Sequence, residues 1–384
     1  MTQMESSRAQ VEAADPAMAG GRLTIDLDAL AANHALLARR VAPALCAAVV
    51  KADAYGLGAV RVAPALAGVG CRDFFVAHLA EGLSLQPHLP TDARLYVLNG
   101  LQPGSERRCA EAGIIPVLNS LEQARRWRET AEALGRPLTA ILQLDSGMSR
   151  LGLPAVEAEA LAVDEGFKAH VQLAYVMSHL ACADHPSDGA NAAQRTRFEE
   201  LAALFPSVPR SLANSGGAFL PAAFHCDLVR PGVALYGAQP NDAGPNPMRP
   251  VVSLEARVIQ VRTIPAGTGV GYGLTFNAER ETRIATIAVG YADGWLRSLG
   301  NRGAAYFNGV RLPIAGRVSM DSITLDVAAL PEGSLGLGDW VELIGPNQTL
   351  DQVAADAGTI SYEILTSLGP RYHRIYRGAA ISSH

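Results

Sequence analysis

One lysine stands where chemistry is easiest to place. Lys51 follows the apolar run Leu45–Val50 and sits in the segment Val49-Val50-Lys51-Ala52-Asp53-Ala54-Tyr55-Gly56. An amine at the end of a buried strand is desolvated, which disfavours its charged form and leaves it nucleophilic. Such amines form Schiff bases with carbonyl compounds, pyridoxal phosphate among them. The lysine alone leaves a second reading open, a side chain that snorkels to solvent from a strand end. His78, Asn99, Asn119, Asp145, His179 and Asn214 also stand at or just beyond the ends of apolar runs. Any one of them is an ordinary strand cap; together with Lys51 they suggest a shared chemical face.

Such a face needs strands that all end on the same side. Eight short apolar runs alternate with helix-like segments: Leu45–Val50, Phe74–Ala77, Leu95–Leu98, Ile114–Leu118, Thr139–Leu144, Val171–Met177, Ser211–Ala213 and Val233–Tyr236. Most are apolar throughout, as strands covered on both faces are. Ser120–Ala133 opens with a Ser N-cap and keeps an amphipathic spacing, and Asn191–Leu204 is similar. The pattern predicts an α/β fold, a (β/α)8 TIM barrel whose strand C-termini share one catalytic face. A doubly wound open sheet is the alternative, weakened because no GxGxxG follows the first run.

Residues 237–250 are rich in proline and turn formers and read as a linker. Beyond them the period becomes two, in Val251–Arg262, Arg283–Val289, Ile323–Val327 and Trp340–Ile344, with a short helix at Leu350–Ala357. The expected division is therefore a disordered extension over 1–21, the barrel over 22–245 and a mainly β C-terminal domain over 246–384. A strand at 23–27 is expected to join the latter.

Hydrophobic residues make up 49% of the 384-residue chain and charged residues 18%, with a net charge of −5 and no basic run. That composition gives no electrostatic footprint for nucleic acid or an anionic membrane. No run approaches the roughly 18 apolar residues of a membrane span, and the first 20 residues lack the apolar core of a secretion signal. Five cysteines without a CxxC pair suit reduced thiols, so a cytoplasmic location is expected. No HExxH or other metal-ligand spacing is present, and no metal is expected.

The octapeptide around Lys51 resembles the cofactor-lysine motif of the alanine racemases, a family of barrel-plus-β-domain pyridoxal phosphate enzymes. Further segments resemble that family's motifs in order: Asp145–Gly152, Ser178–Ala181, Asn214-Ser215, Arg230–Gly237, Val270–Gly273, Gly290–Gly294, Gly316–Asp321 and Ser361–Glu363. The resemblance covers roughly residues 22–378.

The resemblance implies interconversion of L- and D-alanine, supplying D-alanine for peptidoglycan, in a homodimer with shared active sites. Lys51 would hold pyridoxal phosphate and act as one acid/base group. Tyr272, supplied by the second subunit, would act from the opposite substrate face, since racemisation removes a proton on one side and returns it on the other. Arg230 would face the pyridine nitrogen and keep it unprotonated. Arg150 would bond the phenolic oxygen, and His179 would pack on the ring. Tyr55, Ser215, Gly232, Val233 and Tyr362 would hold the phosphate, with Asn214 beside them. Met320 would bind the substrate carboxylate through its N–H, with Arg150 and Tyr272 also facing substrate. Arg297 would link His179 and Tyr272, and Asp321 would support the site.

The sequence departs from the family at Gln143, where many members carry a carbamylated lysine. A neutral amide there implies either a direct hydrogen bond to Arg150 or a small anion such as chloride. Ser319 stands where a cysteine is common. Alternative functions are a broader-specificity amino-acid racemase, a related decarboxylase, and a non-catalytic cofactor carrier. Arg230 and the β domain with Tyr272 weigh against the last two.

Overall fold

The computed structural model describes residues 18–378. Residues 1–17, most of the expected disordered extension, lie outside the described residues, as do residues 379–384; Gly21 is already paired in a strand. The chain divides into two units, residues 27–249 and residues 18–26 with 250–378. The first strand, β1 (Gly21–Asp26), belongs to the latter.

The unit of residues 27–249 opens with α1 (Leu27–Val41), which leads to β2 (Leu45–Cys46) and β3 (Ala48–Val49). A short turn α2 (Lys51–Gly56) and helix α3 (Ala59–Gly68) follow. Then come β4 (Asp73–Val76), α4 (Leu79–Leu85), β5 (Arg94–Val97), α5 (Glu106–Glu111), β6 (Ile115–Leu118), α6 (Leu121–Leu134) and β7 (Leu138–Gln143). The remainder is α7 (Ala155–Ala162), α8 (Glu165–His170), β8 (Val171–Met177), α9 (Gly189–Ala202), β9 (Arg210–Ser211) and β10 (Leu228–Val229). Strands β3 to β9 form one parallel sheet in sequence order. The ring is closed by the first run, which bonds on both edges: β2 pairs β10 while β3 pairs β4. Ala47 and Val49 donate to the carbonyls of Val229 and Pro231, and Arg230 donates to Ala213. This is a (β/α)8 barrel.

Apolar burial explains why these runs became strands. Phe74, Phe75, Tyr96, Val97, Val117, Ile141, Leu142 and Val176 are essentially inaccessible, covered by the barrel interior or by helices. Helix α6 begins at its N-cap, where Ser120 accepts from the Gln123 amide, and ends at Gly135.

The eighth expected strand is corrected. Val233–Tyr236 is a 3₁₀ turn, and the strand is Leu228–Val229. Pro231 has no N–H to continue a ladder. After Gly232 the chain curls and buries Val233, Ala234, Leu235 and Tyr236 completely. A short buried apolar run carries the same pattern whether extended or coiled.

The other unit is built on the long strand β11 (Val252–Ile264). It continues through β12 (Gly269–Val270), β13 (Phe276–Asn277), β14 (Thr282–Ile287), β15 (Ala304–Phe307), β16 (Val310–Pro313), β17 (Ile323–Asp326) and β18 (Trp340–Ile344). Helices α10 (Leu350–Ala357) and α11 (Ser361–Ser367) precede β19 (His373–Arg377). Strand β1 pairs antiparallel with β11 (Leu23 opposite Leu254) and parallel with β19 (Leu23 opposite Arg374). Along β11 every second residue from Val252 to Val258 is buried, the alternation of a one-faced strand. The β12–β13 hairpin, which carries Tyr272, sits on a small core of Ile264, Val270, Ala278, Ile284 and Ala315.

Candidate active site

Lys51 opens α2, and the four residues after it are left-handed. Ala52, Asp53, Ala54 and Tyr55 have φ of 53, 53, 54 and 56°. Each such residue costs about 1–2 kcal/mol when it carries a Cβ, so the turn persists only because its surroundings over-determine it. Ala54 donates to the Val50 carbonyl (2.9 Å) and Gly58 to the Asp53 carbonyl (2.9 Å). The Asp53 carboxylate accepts from Ala59 (2.7 Å), and the Glu81 carboxylate accepts from Ala52 (2.8 Å). The Lys51 amine is held below its usual range, first by burial and then by the Arg150 guanidinium, with Glu81 opposing. That is the environment of a nucleophilic amine.

The same turn sends Tyr55 inward. Its ring lies 4.7 Å from that of Tyr236, whose hydroxyl donates to the Val49 carbonyl (2.9 Å). A Cβ on Gly232 would lie 2.2 Å from the Tyr55 hydroxyl, so only glycine fits there. Ser215, also buried, accepts at Oγ from the amides of Gly232 (2.9 Å) and Ala234 (3.3 Å). Tyr55, Ser215, Gly232 and Ala234 are thus linked through one set of contacts, with Tyr55 four residues along the chain from Lys51. The Asn214 side chain donates to the Leu180 carbonyl (3.3 Å) and accepts from Gly217 (3.0 Å).

Arg230 is buried with no carboxylate partner among the described residues. Its guanidinium donates to Ser211 Oγ, to the Ser178 carbonyl (2.6 Å) and more weakly to the Leu212 carbonyl (3.5 Å). Burial brings its pKa down to about 10, which still leaves it charged at neutral pH. Ser178 Oγ in turn bonds Ser146 Oγ and the Leu144 carbonyl, both at 2.7 Å. His179 is lowered to about 3, by burial first and then by the cations Arg230, Arg150 and Lys51, so its imidazole is neutral. Arg150 extends from the loop after β7, where Asp145 Oδ1 accepts from the amides of Gly147, Met148 and Ser149. Gln143 does not make the expected bond to Arg150; its Nε2 donates to the Leu151 carbonyl (3.3 Å), the next residue along.

In the other unit, Tyr272 stands on the hairpin loop and is 71% exposed, and Met320 is 53% exposed. Arg297 and Tyr362 are exposed as well. Gly290 lets two loops touch: a Cβ there would strike the carbonyls of Met320 and Ser319 at 2.3 and 2.4 Å. Tyr291 and Ala292 donate to those same carbonyls. Asp321 accepts from Arg371 (2.7 Å), which also forks onto buried Asp293 (2.6 and 2.8 Å). Arg371 therefore clamps the Gly290–Gly294 and Gly316–Asp321 loops together.

Sequence reasoning gave no role to Glu81, Tyr236, Ser178, Ser211 or Arg371. The spacing of Glu81, three residues after His78 at a helix start, is the one signal that marks a local anchor. Asn119 and Asp145, both at strand ends, spend their side chains on nearby backbone groups.

The site can be compared with known proteins. The family model described as "Alanine racemase, N-terminal domain" matches residues 25–240, and "Alanine racemase, C-terminal domain" matches 251–376. The chain is 58% identical to a protein of Agrobacterium fabrum named "Alanine racemase, catabolic", over 93% of this chain and 92% of that one. It is 56% identical to an alanine racemase of Brucella canis, over 93% and 94%. The crystal structure of alanine racemase from Bartonella henselae with covalently bound pyridoxal phosphate superposes with a TM-score of 0.91, at 47% identity, over 94% of this chain and 100% of that one. With both family models matched across nearly the whole chain and relatives well above half identical, the chain belongs to the alanine racemase family.

Proposed function

We propose that this chain binds pyridoxal phosphate through Lys51 and interconverts L- and D-alanine with Lys51 and Tyr272 as opposed acid/base groups. The observation that carries the reading is Lys51 itself: an amine with depressed basicity, at a barrel strand end, beside a left-handed turn that brings Tyr55 against Gly232. The residues fit the cofactor. A Cβ would fill the cradle at Gly232, and the buried Arg230 cation carries no carboxylate partner among the described residues. When bound, the cofactor supplies an aldehyde that condenses with an amine, releasing water, and a ring that withdraws electrons from the substrate α-carbon.

The protein groups then have distinct tasks. Arg230, which keeps its proton, presents a donor to the pyridine nitrogen without protonating it. Arg150 bonds the phenolic oxygen, and neutral His179 packs on the ring. Tyr55, Ser215, Gly232 and Val233 hold the phosphate, with Tyr362; Asn214 shapes the loop. The Met320 N–H takes the substrate carboxylate, and Arg297, Asp321 and Gln143 support the polar groups. Lys51 Nζ takes or returns the α-proton on one substrate face, and the Tyr272 hydroxyl on the other. The exposed position of Tyr272 suits delivery from the second subunit of a cytoplasmic homodimer.

Supply of D-alanine for peptidoglycan is the cellular role proposed first. The name of the Agrobacterium relative, "catabolic", favours a second role in alanine breakdown. Dependence of a deletion strain on added D-alanine separates the two.

The test of the chemistry is α-proton exchange of each alanine enantiomer in deuterium oxide, followed by NMR. Wild type should exchange and invert both. Lys51→Ala should do neither, and Tyr272→Phe should lose inversion while exchanging one enantiomer. Exchange that persists in Lys51→Ala would overturn the assignment; exchange confined to larger amino acids would shift it to a broader racemase.

A further inference from the structure

We propose that Glu81 is a positioning residue for Lys51, acting through the left-handed turn. The inference rests on the cofactor reading above. Its carboxylate bridges two strand ends. Oε1 accepts from the Ala52 amide (2.8 Å), the residue directly after Lys51. Oε2 accepts from the amides of Ala77 (2.7 Å) and His78 (3.2 Å), where β4 ends. One side chain on α4 thereby ties the lysine-bearing strand end to its neighbour in the barrel.

The tie has a physical reason. Ala52 is the first of four consecutive left-handed residues, none of them glycine. Such a run unwinds unless its amides have fixed acceptors outside the turn. Val50 supplies one, its carbonyl accepting from the Ala54 amide (2.9 Å). Glu81 supplies the other, beside the lysine. Unwinding of the first residue would swing the Lys51 Cα–Cβ bond.

Glu81 is also the anion nearest Lys51 in effect. The titratable groups that face the lysine are Arg150 from the loop after β7, the neutral His179 from the loop after β8, and Glu81 from α4. Arg150 lowers the amine's basicity and Glu81 raises it. The carboxylate therefore sets both where the amine stands and how readily it loses its proton.

The two effects separate experimentally. A glutamine at 81 keeps the shape but has one acceptor oxygen, so it cannot serve Ala52 and the Ala77–His78 pair together. Aspartate keeps the charge and both oxygens on a shorter stem. The full chain, stripped of cofactor with hydroxylamine, is supplied with pyridoxal phosphate, and lysine-linked cofactor is followed by its visible absorbance across a pH series. In that step Lys51 Nζ forms a C=N bond with the aldehyde carbon and one water leaves.

Glu81→Gln should shift the midpoint of the capture-rate profile to lower pH, because an anion beside the ammonium is gone. Its plateau rate at high pH should fall roughly tenfold or more, the worth of a hydrogen bond to a charged group. Glu81→Asp should keep the wild-type midpoint and recover part of the plateau. A Glu81→Gln chain with wild-type midpoint and plateau, lowered only in melting temperature, overturns the inference and leaves Glu81 a helix cap. Should Glu81→Gln not fold, Glu81→Asp with an unchanged plateau overturns it equally. A wild-type chain that forms no lysine-linked cofactor overturns the cofactor reading, and this inference with it.

Discussion

Gly232→Ala offers a sharp test of how the barrel mouth is packed. The new Cβ would stand 2.2 Å from the Tyr55 hydroxyl and 3.0 Å from Cζ, where real contacts do not fall below 3.0 Å. The hydroxyl must therefore retreat by at least 0.8 Å, the difference of those distances. It has little room to do so. Its ring packs at a tilt against Tyr236, which is itself anchored by its hydroxyl to Val49. Gly232 has φ −121°, so alanine carries no left-handed penalty there and the clash is the main cost. Overpacking of this kind costs about 1–3 kcal/mol. Tyr55→Phe removes the atom at 2.2 Å and leaves Cζ at 3.0 Å, a contact that small shifts can absorb. Tyr55→Phe alone removes only that hydroxyl, and its measured loss enters the comparison as the second single variant. The double variant should then be more stable than the sum of the two singles by about 1 kcal/mol or more. Calorimetric melting of the four proteins reads this directly, at roughly 1 °C per kcal/mol for a chain of 384 residues. A double variant whose loss equals the sum within about 0.5 kcal/mol would refute the packing argument.

Other outcomes follow from the same geometry. Arg371→Ala leaves buried Asp293 without its fork and frees Asp321; a loss of about 1–3 kcal/mol is expected, moderated because Arg371 is half exposed. In the racemase assay it should raise the alanine KM more than it weakens cofactor retention, since it holds the loop of Met320; equal effects on both would count against the clamp. Acid should destabilise the protein through His179. Its folded pKa, about 3, lies below the unfolded value near 6.5, so the unfolded chain takes up the proton first and stability falls as pH drops through that window. The slope from this one group is at most about 1.4 kcal/mol per pH unit. His34 and His225 are lowered too, so the contribution of His179 is read as the difference from His179→Gln, which should be flatter between pH 6 and about 4. Parallel stability profiles would contradict the assigned depression. Asn214→Ala should loosen the turn at Gly217 and slow cofactor binding; Asn214→Asp, which keeps the acceptor for the Gly217 amide, should do so less.

What the amino-acid sequence determined by itself was periodicity and local grammar. Mainly apolar runs marked seven of the eight barrel strand positions, because strands covered on both faces have little polar side to betray. Ser120 marked the start of α6 and Leu350–Ala357 the length of α10, because caps and amphipathic spacing act within a few residues. The ordered motifs marked Lys51, Tyr55, Ser215, Arg230 and Gly232 as worth attention.

Tertiary structure decided the rest, because it depends on partners far apart in the chain. The left-handed turn after Lys51 runs through Ala52–Tyr55, residue types that ordinarily avoid it; it exists because Glu81 and Asp53 supply acceptors for its amides and the next helix. Val233–Tyr236 coiled because a buried site was available for four side chains after Pro231 broke the ladder. Gln143 turned to the Leu151 carbonyl and Asn214 to the Leu180 carbonyl because those backbone groups were in reach. Arg371 found Asp293 across 78 residues. Hydrophobic periodicity is written one residue at a time, but a buried charge or a strained turn is stabilised only by the groups that the finished fold brings to it.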